Sequence, residues 1–155
     1  MAPAAFVVLD SNILVALLNP LDHRRNEAVA LQMALEEASI QVAYFDCVIA
    51  ESLSTALRRL EEKRDTIGVR KLFVTFASLI ARDQITWVLP SVSDLYHEIL
   101  TLMESSNGAL NFHDALIALA CRELGIPAIV SLDADFDHIG WLKRISTPSD
   151  LAITE

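Results

Sequence analysis

A chain of 155 residues suits one domain, expected to span 1–155, because no Pro-, Gly- or Ser-rich stretch or charge run divides it. Hydrophobic residues make up 53% and the mean hydropathy is +0.39, yet no uncharged apolar run reaches the ~20 residues of a membrane-spanning helix, so a membrane-embedded chain is excluded. The net charge of −9 excludes nucleic-acid binding through a broad basic surface, a mode in which Lys and Arg displace condensed counterions.

The opening stretch Met1–Leu18 is apolar, lacks a basic start and is broken by Asp10-Ser11-Asn12. It does not read as a cleaved signal peptide, and a cytoplasmic location is expected. Within it, FVVL (6–9) reads as a buried strand and 11–18 as a helix. A helical pattern at about 24–38 leads to the strand IQVAYF (40–45), and a long helix follows at about 48–62. Then come a helix at 66–82, a strand at QITWVL (84–89) and a helix at 92–106. The last helix, 112–124, is closed by Gly125 and Pro127 before the strand AIVSL (128–132). Strand and helix alternate, so the expected class is α/β, a doubly wound parallel sheet with helices on both faces.

In such sheets ligands bind outside the carboxyl ends of the strands, which directs attention to the acids there. Asp10 follows the first strand; Asp46 follows the second, with Glu51 one helical turn further on; Asp133 and Asp135 follow the last; Asp114 opens the helix before it. Each has a plain structural use, since Asp at a helix start accepts backbone N–H bonds and complements the macrodipole. Asp10 or Asn12 can cap the helix at 11, Asp114 stands in a capping-box relation to Asn111, and Asp46 reads as an N-cap with no chemistry. Glu51 lies in VIAESLSTAL, whose core face is expected through Ile49, Leu53, Ala56 or Leu57, and Leu60. Glu51 then projects on the other side with Val48, Thr55 and Arg58, where a solvated carboxylate is ordinary.

Other residues add little. His113 reads as bland, and no Ser, Thr or Cys has a His arranged for a triad. Cys47 and Cys121 form no CxxC and read as reduced, partly buried thiols. Arg58, Arg59, Lys63, Arg64, Arg70 and Lys71 are mixed with Glu61, Glu62 and Asp65, a pattern that reads as a solvated helix surface rather than a phosphate track.

Taken jointly, the acids favour a metal. Carboxylates crowded at one edge repel by up to ~4 kcal/mol per close pair at an effective dielectric near 20. A hard divalent ion, Mg²⁺ or Mn²⁺, suits oxygen ligands and removes that repulsion. Such ions would also let an acidic protein hold a phosphodiester.

Three segments resemble the PIN-domain nucleases, particularly the VapC-like toxins of toxin–antitoxin pairs, over most of the chain. VVLDSNILVALL is similar to the family's strand-Asp-Ser/Thr-Asn-helix start, FDCVIAESLSTALRRL to its Glu-bearing helix, and LNFHDALIALACRELGIPAIVSLDADFDHI to its closing segment. The resemblance implies a Mg²⁺- or Mn²⁺-dependent endoribonuclease acting on RNA, with Asp10, Glu51, Asp114 and either Asp133 or Asp135 around the metal. It places Ser11 and Ser131 at hydroxyl positions bordering the site; Ser131 stands where many relatives carry Thr. It also implies a dimer and a small cognate antitoxin.

Two further expectations come from the residues themselves. IGVRKLFVTFASLI (67–80) carries more apolar residues than one helix face can direct inward, which points to a homodimer. Asp133 is the first acid beyond AIVSL, and two extended residues advance ~6.6 Å, so Asp133 is favoured as the ligand, often through water, with Asp135 either capping the following turn or supporting the ligands from behind. Two rivals stand beside the nuclease. A receiver-like signalling domain needs a Lys on a late loop, and none lies between Lys71 and Lys143. A catalytically silent module would keep the acids for capping alone.

Overall fold

The computed structural model describes residues 5–153. The expected 1–155 span and the first residues of the opening stretch, 1–4, lie partly outside the described residues. In chain order the structure forms β1 (Phe6–Leu9), α1 (Ser11–Leu18), α2 (Arg25–Glu37), β2 (Gln41–Phe45), α3 (Asp46–Glu62) and α4 (Thr66–Leu79). It continues through β3 (Ile85–Thr86), α5 (Val92–Ser105), α6 (Phe112–Leu124), β4 (Ala128–Val130) and β5 (Lys143–Ile145).

All neighbouring strands pair in parallel, in the order β3-β2-β1-β4-β5. The chain moves outward from β1 to β2 and β3, then returns to the other side of β1 for β4 and β5. Right-handed crossovers therefore put the helices of the first half on one face and those of the second half on the other. The contacts agree: α1 packs on α2 and α3, while α5 packs on α6. The expected doubly wound α/β fold is what forms. Val7, Val8 and Leu9 of β1 and Ala128, Ile129 and Val130 of β4 are all buried, as central parallel strands covered on both faces must be.

Several expectations need correction, among them the strand expected at 128–132, which ends at Val130. β5 was not anticipated, because Lys143 and Arg144 make it a charged edge strand without apolar alternation. The strand expected at 84–89 pairs only at Ile85 and Thr86, α4 stops at Leu79, and 3₁₀ turns occupy Arg82–Gln84 and Leu89–Ser91. Asp46 is the reason the third strand is short. It is the first residue of α3, with Phe45 at the N-cap. Its buried carboxylate accepts Val88 N at 2.8 Å and Leu89 N at 3.2 Å as well as Cys47 N at 3.0 Å. Those two amides are thus drawn out of the ladder, and Pro90 has no N–H to continue it. The core face of α3 is also rotated from expectation: Val48 and Ser52 join the expected Ile49 and Ala56 as buried, whereas Leu53, Leu57 and Leu60 are half-buried. Cys47 and Cys121 are free and fully buried, and burial pushes each thiol up to about 12.

Asp46 is therefore a structural anion binding three backbone N–H groups. Asp46→Ala is expected to lose about 2 kcal/mol in urea unfolding, since it orphans buried donors that face a charged partner. Asp46→Asn, which keeps one acceptor oxygen, should lose less. A variant as stable as the parent would show that water or a shifted 88–89 segment takes over those amides.

Candidate metal centre at the carboxyl edge

β1 and β4 are neighbours, with Leu9 level with Val130, and the chain leaves them in opposite directions across the sheet. This is the switch point at which ligands bind in doubly wound sheets. Asp10 stands there as the N-cap of α1. Its main-chain N–H reaches Val130 O at 3.0 Å, and its Oδ1 accepts Ser11 N at 2.7 Å. Capping and a place at the sheet edge are both satisfied by this one residue.

The other carboxylate oxygen, Oδ2, accepts the Ser131 hydroxyl at 2.6 Å and the Asn12 side-chain amide at 3.1 Å. Ser131 Oγ in turn accepts Asp133 N at 3.0 Å and Asn12 Nδ2 at 3.3 Å. The two loops after β1 and β4 are thereby tied around Asp10, which is 5% exposed. From sequence Asn12 is only a possible cap. Its bridge to Ser131 requires β1 and β4 to be adjacent, which local sequence does not reveal.

Glu51 projects from the second turn of α3 and lines an open cleft of about 410 Å³ with Asp133, Ser11, Asn12 and Thr55. The rotated core face of α3 is what brings Glu51 to this cleft rather than to bulk solvent. Asp114 opens α6 in a full capping box: its N–H donates to Asn111 Oδ1 at 2.9 Å, and its own Oδ2 accepts Asn111 N at 3.1 Å. Asp133, not Asp135, caps the 3₁₀ turn Ala134–His138, accepting Asp135 N at 2.9 Å. The expectation that Asp135 does this is corrected. The cap needs an acceptor before the turn, which only the earlier acid can supply.

Electrostatics connects these positions. Burial above all, with Asp114 and Glu51 pushing the same way, raises Asp10 from the ordinary 3.8 to about 6, against the hydrogen bonds from Ser131 and Ser11. Asp114 is also raised, first by burial and then by the charges of Asp133, Glu51 and Asp135. Glu51 and Asp114 thus act on Asp10, and Asp133, Glu51 and Asp135 act on Asp114. Among the described residues none of the five is paired with Lys or Arg. Arg144, the basic group near Asp133, is held in a two-pronged bond by Asp137.

Among the described residues no three acidic, His or Cys side chains form a finished metal cage. The chemistry of the donor set nonetheless fits a hard divalent ion. The groups are carboxylate and hydroxyl oxygens, they repel, and one of them is buried with its charge unmatched. Backbone caps hold Asp114 and Asp133 in place while leaving oxygen lone pairs for further contacts.

A model of the PIN domain matches residues 7–142. Among solved structures the chain is similar to VapC20 of Mycobacterium tuberculosis, described as a Sarcin-Ricin loop cleaving toxin. The TM-score is 0.65 and identity 21%, covering 87% of this chain and 95% of that one. It is also similar to VapBC2 from Rickettsia felis, solved bound to a DNA fragment from its promoter. There the TM-score is 0.63 and identity 19%, covering 90% and 97% of the two chains. No curated protein sequence matches the chain.

Proposed function

The chain belongs to the PIN-domain family, and we propose on that premise that it is a divalent-metal-dependent endoribonuclease, the toxin of a toxin–antitoxin pair. The observation that carries the reading is the buried, unmatched carboxylate of Asp10 at the sheet's switch point, with four more acids acting on the same region. Asp10, Glu51, Asp114 and Asp133 would hold Mg²⁺ or Mn²⁺, with Asp135 beside them. When bound, such an ion neutralises phosphate charge and makes water a better nucleophile towards a phosphodiester.

The chain's own groups prepare that site. Ser131 and Asn12 fix the orientation of the Asp10 carboxylate, and the capping box fixes that of Asp114. Glu51 stands on a rigid helix and presents a carboxylate to the open cleft, where it can accept a proton from an incoming water. RNA as the substrate class is supported by similarity to a toxin described as cleaving the Sarcin-Ricin loop.

The receiver-like rival fails on topology. Receivers use the order 2-1-3-4-5, whereas this sheet runs 3-2-1-4-5. Lys143 opens β5 at the opposite end from the acids and donates to Asp150 O. The silent module is separated by experiment: purified protein is incubated with structured RNAs in Mn²⁺, Mg²⁺ or chelator. Cleavage that requires the ion supports the proposal; intact RNA under every condition would leave a binding module.

A small antitoxin partner is supported by similarity to VapBC2. We read the chain as one cytoplasmic domain over 1–155; no helix among the described residues is long and apolar enough to cross a membrane. A homodimer is expected through α4, where Leu72 alone is buried while Ile67, Phe73 and Val74 are exposed. Light scattering at micromolar concentration should give twice the 17.1 kDa chain mass. A monomer whose Val74→Lys variant behaves identically would rule this face out.

A further inference from the structure

The cleft that holds Glu51 and Asp133 has a second wall, lined by Asp22, His23, Arg24 and Arg59. Glu51, Thr55 and Arg59 stand four residues apart on α3, so they share one helix face, with about 12 Å of axis between the first and last. All three line the cleft. From the loop between α1 and α2, Asp22 accepts Arg24 N at 2.8 Å with one oxygen and Arg59 Nη1 at 3.0 Å with the other. The Asp22 side chain is 6% exposed, whereas that of Arg59 is 46% exposed. A fixed, nearly buried acid thus anchors one prong of an accessible guanidinium.

The rest of that guanidinium is free for a ligand. Among the described residues Arg59 Nε and Nη2 have no partner. Arg24 lines the same cleft, but its Nε and Nη2 are already matched by Glu27 at 2.8 and 2.9 Å. In sequence Arg59 is one of six basic residues on an expected solvated surface; its pairing with Asp22 sets it apart.

We propose that Arg59, held by Asp22, receives a backbone phosphate of the RNA strand next to the one cleaved. This rests on the ribonuclease reading above. A phosphate is the ligand whose oxygens match the planar fork of guanidinium donors. The contact falls on a neighbouring phosphate because the length of α3 between Glu51 and Arg59 exceeds the reach of one phosphate group. In a chain of net charge −9, this arginine gives an incoming polyanion a specific foothold beside the carboxylates. RNA is favoured over an acidic protein because both ends of the stripe open into one cleft, so a strand that reaches the acids passes Arg59.

The test offers the wild-type protein structured oligoribonucleotides in Mn²⁺ and follows both binding and cutting. Arg59→Ala should raise KM about tenfold, the scale of one charge-assisted hydrogen bond, with circular dichroism showing that the fold survives the loss of Asp22's partner. Arg59→Lys should recover part of the loss. Neutral methylphosphonate linkages, placed one at a time beside the cut, should raise the wild-type KM similarly at one position and add nothing there in Arg59→Ala. An unchanged KM in Arg59→Ala, or linkage penalties that persist in it at every position, overturns the proposal. Fluorescence anisotropy of the labelled oligonucleotide reads Kd separately from cutting. RNA bound in an Arg59-dependent manner but never cut would refute the nuclease reading while upholding the phosphate contact. A variant that binds and cuts RNA normally but no longer binds an acidic protein inhibitor would assign this edge to that partner and overturn the proposal.

Discussion

Asp10→Asn, Glu51→Gln and Asp114→Asn are each expected to reduce ion-dependent RNA cleavage by at least about a hundredfold while leaving a folded protein. Loss of a group that merely orients a metal ligand costs roughly 10–100-fold, and these changes remove ligand charge itself. The substitutions keep shape, and Asn at 10 and 114 keeps an acceptor oxygen for the backbone N–H groups that both acids hold. Asp133→Asn should weaken Mn²⁺ binding and cleavage more than Asp135→Asn. Asp133 lines the cleft with Glu51 and presses on Asp114 more than Asp135 does. Cleavage rates with and without ion, alongside circular dichroism, read these outcomes. Full activity in Asp10→Asn, Glu51→Gln and Asp114→Asn would end the nuclease assignment, and the reverse ranking of Asp133 and Asp135 would move the fourth ligand two residues on.

The central sheet and its acids were legible because burial on both faces leaves a plain mark. FVVL and AIV are continuous apolar runs, and the first acid beyond each emerges at the carboxyl edge. Other features were hidden where tertiary contacts override local pattern. β5 is held by pairing with β4 rather than by its own composition, so Lys143-Arg144-Ile145 carries no strand signature. The side of α3 that faces the interior is set by its packing on α1, which turned Val48 inward and Glu51 toward the cleft. The Asn12–Ser131 bridge joins residues 119 apart, and the Asp46 bonds to 88 and 89 span more than 40. Periodicity within one segment cannot encode such partners.

In chelator at pH 7.5, Asp10→Asn is expected to be more stable than the parent, although it loses activity. An acid raised from 3.8 to about 6 is favoured by folding only while protonated. The stability it contributes is fully present below 3.8, is lost as pH rises towards about 6, and stays lost above that. At 1.36 kcal/mol per pH unit the ionised carboxylate costs on the order of 3 kcal/mol at neutral pH. Asn avoids that cost but gives part of it back. Its one oxygen cannot serve Ser11 N, Asn12 and the Ser131 hydroxyl as two carboxylate oxygens do. A net gain of about 1 kcal/mol, or roughly 2–4 °C in Tm for a chain of this size, should remain. The gain should shrink as the pH is lowered from 6 towards 4. Added Mn²⁺ should reverse the order, because an ion at a hundred times its Kd stabilises the protein that binds it by about 2.7 kcal/mol and leaves a non-binding variant unmoved. Thermal melts of both proteins at pH 4.5 and 7.5, with chelator or Mn²⁺, decide the matter. An Asp10→Asn variant less stable in chelator at pH 7.5, with no Mn²⁺-dependent gain in the parent, would make Asp10 an ordinary helix cap whose charge the fold tolerates without a cation.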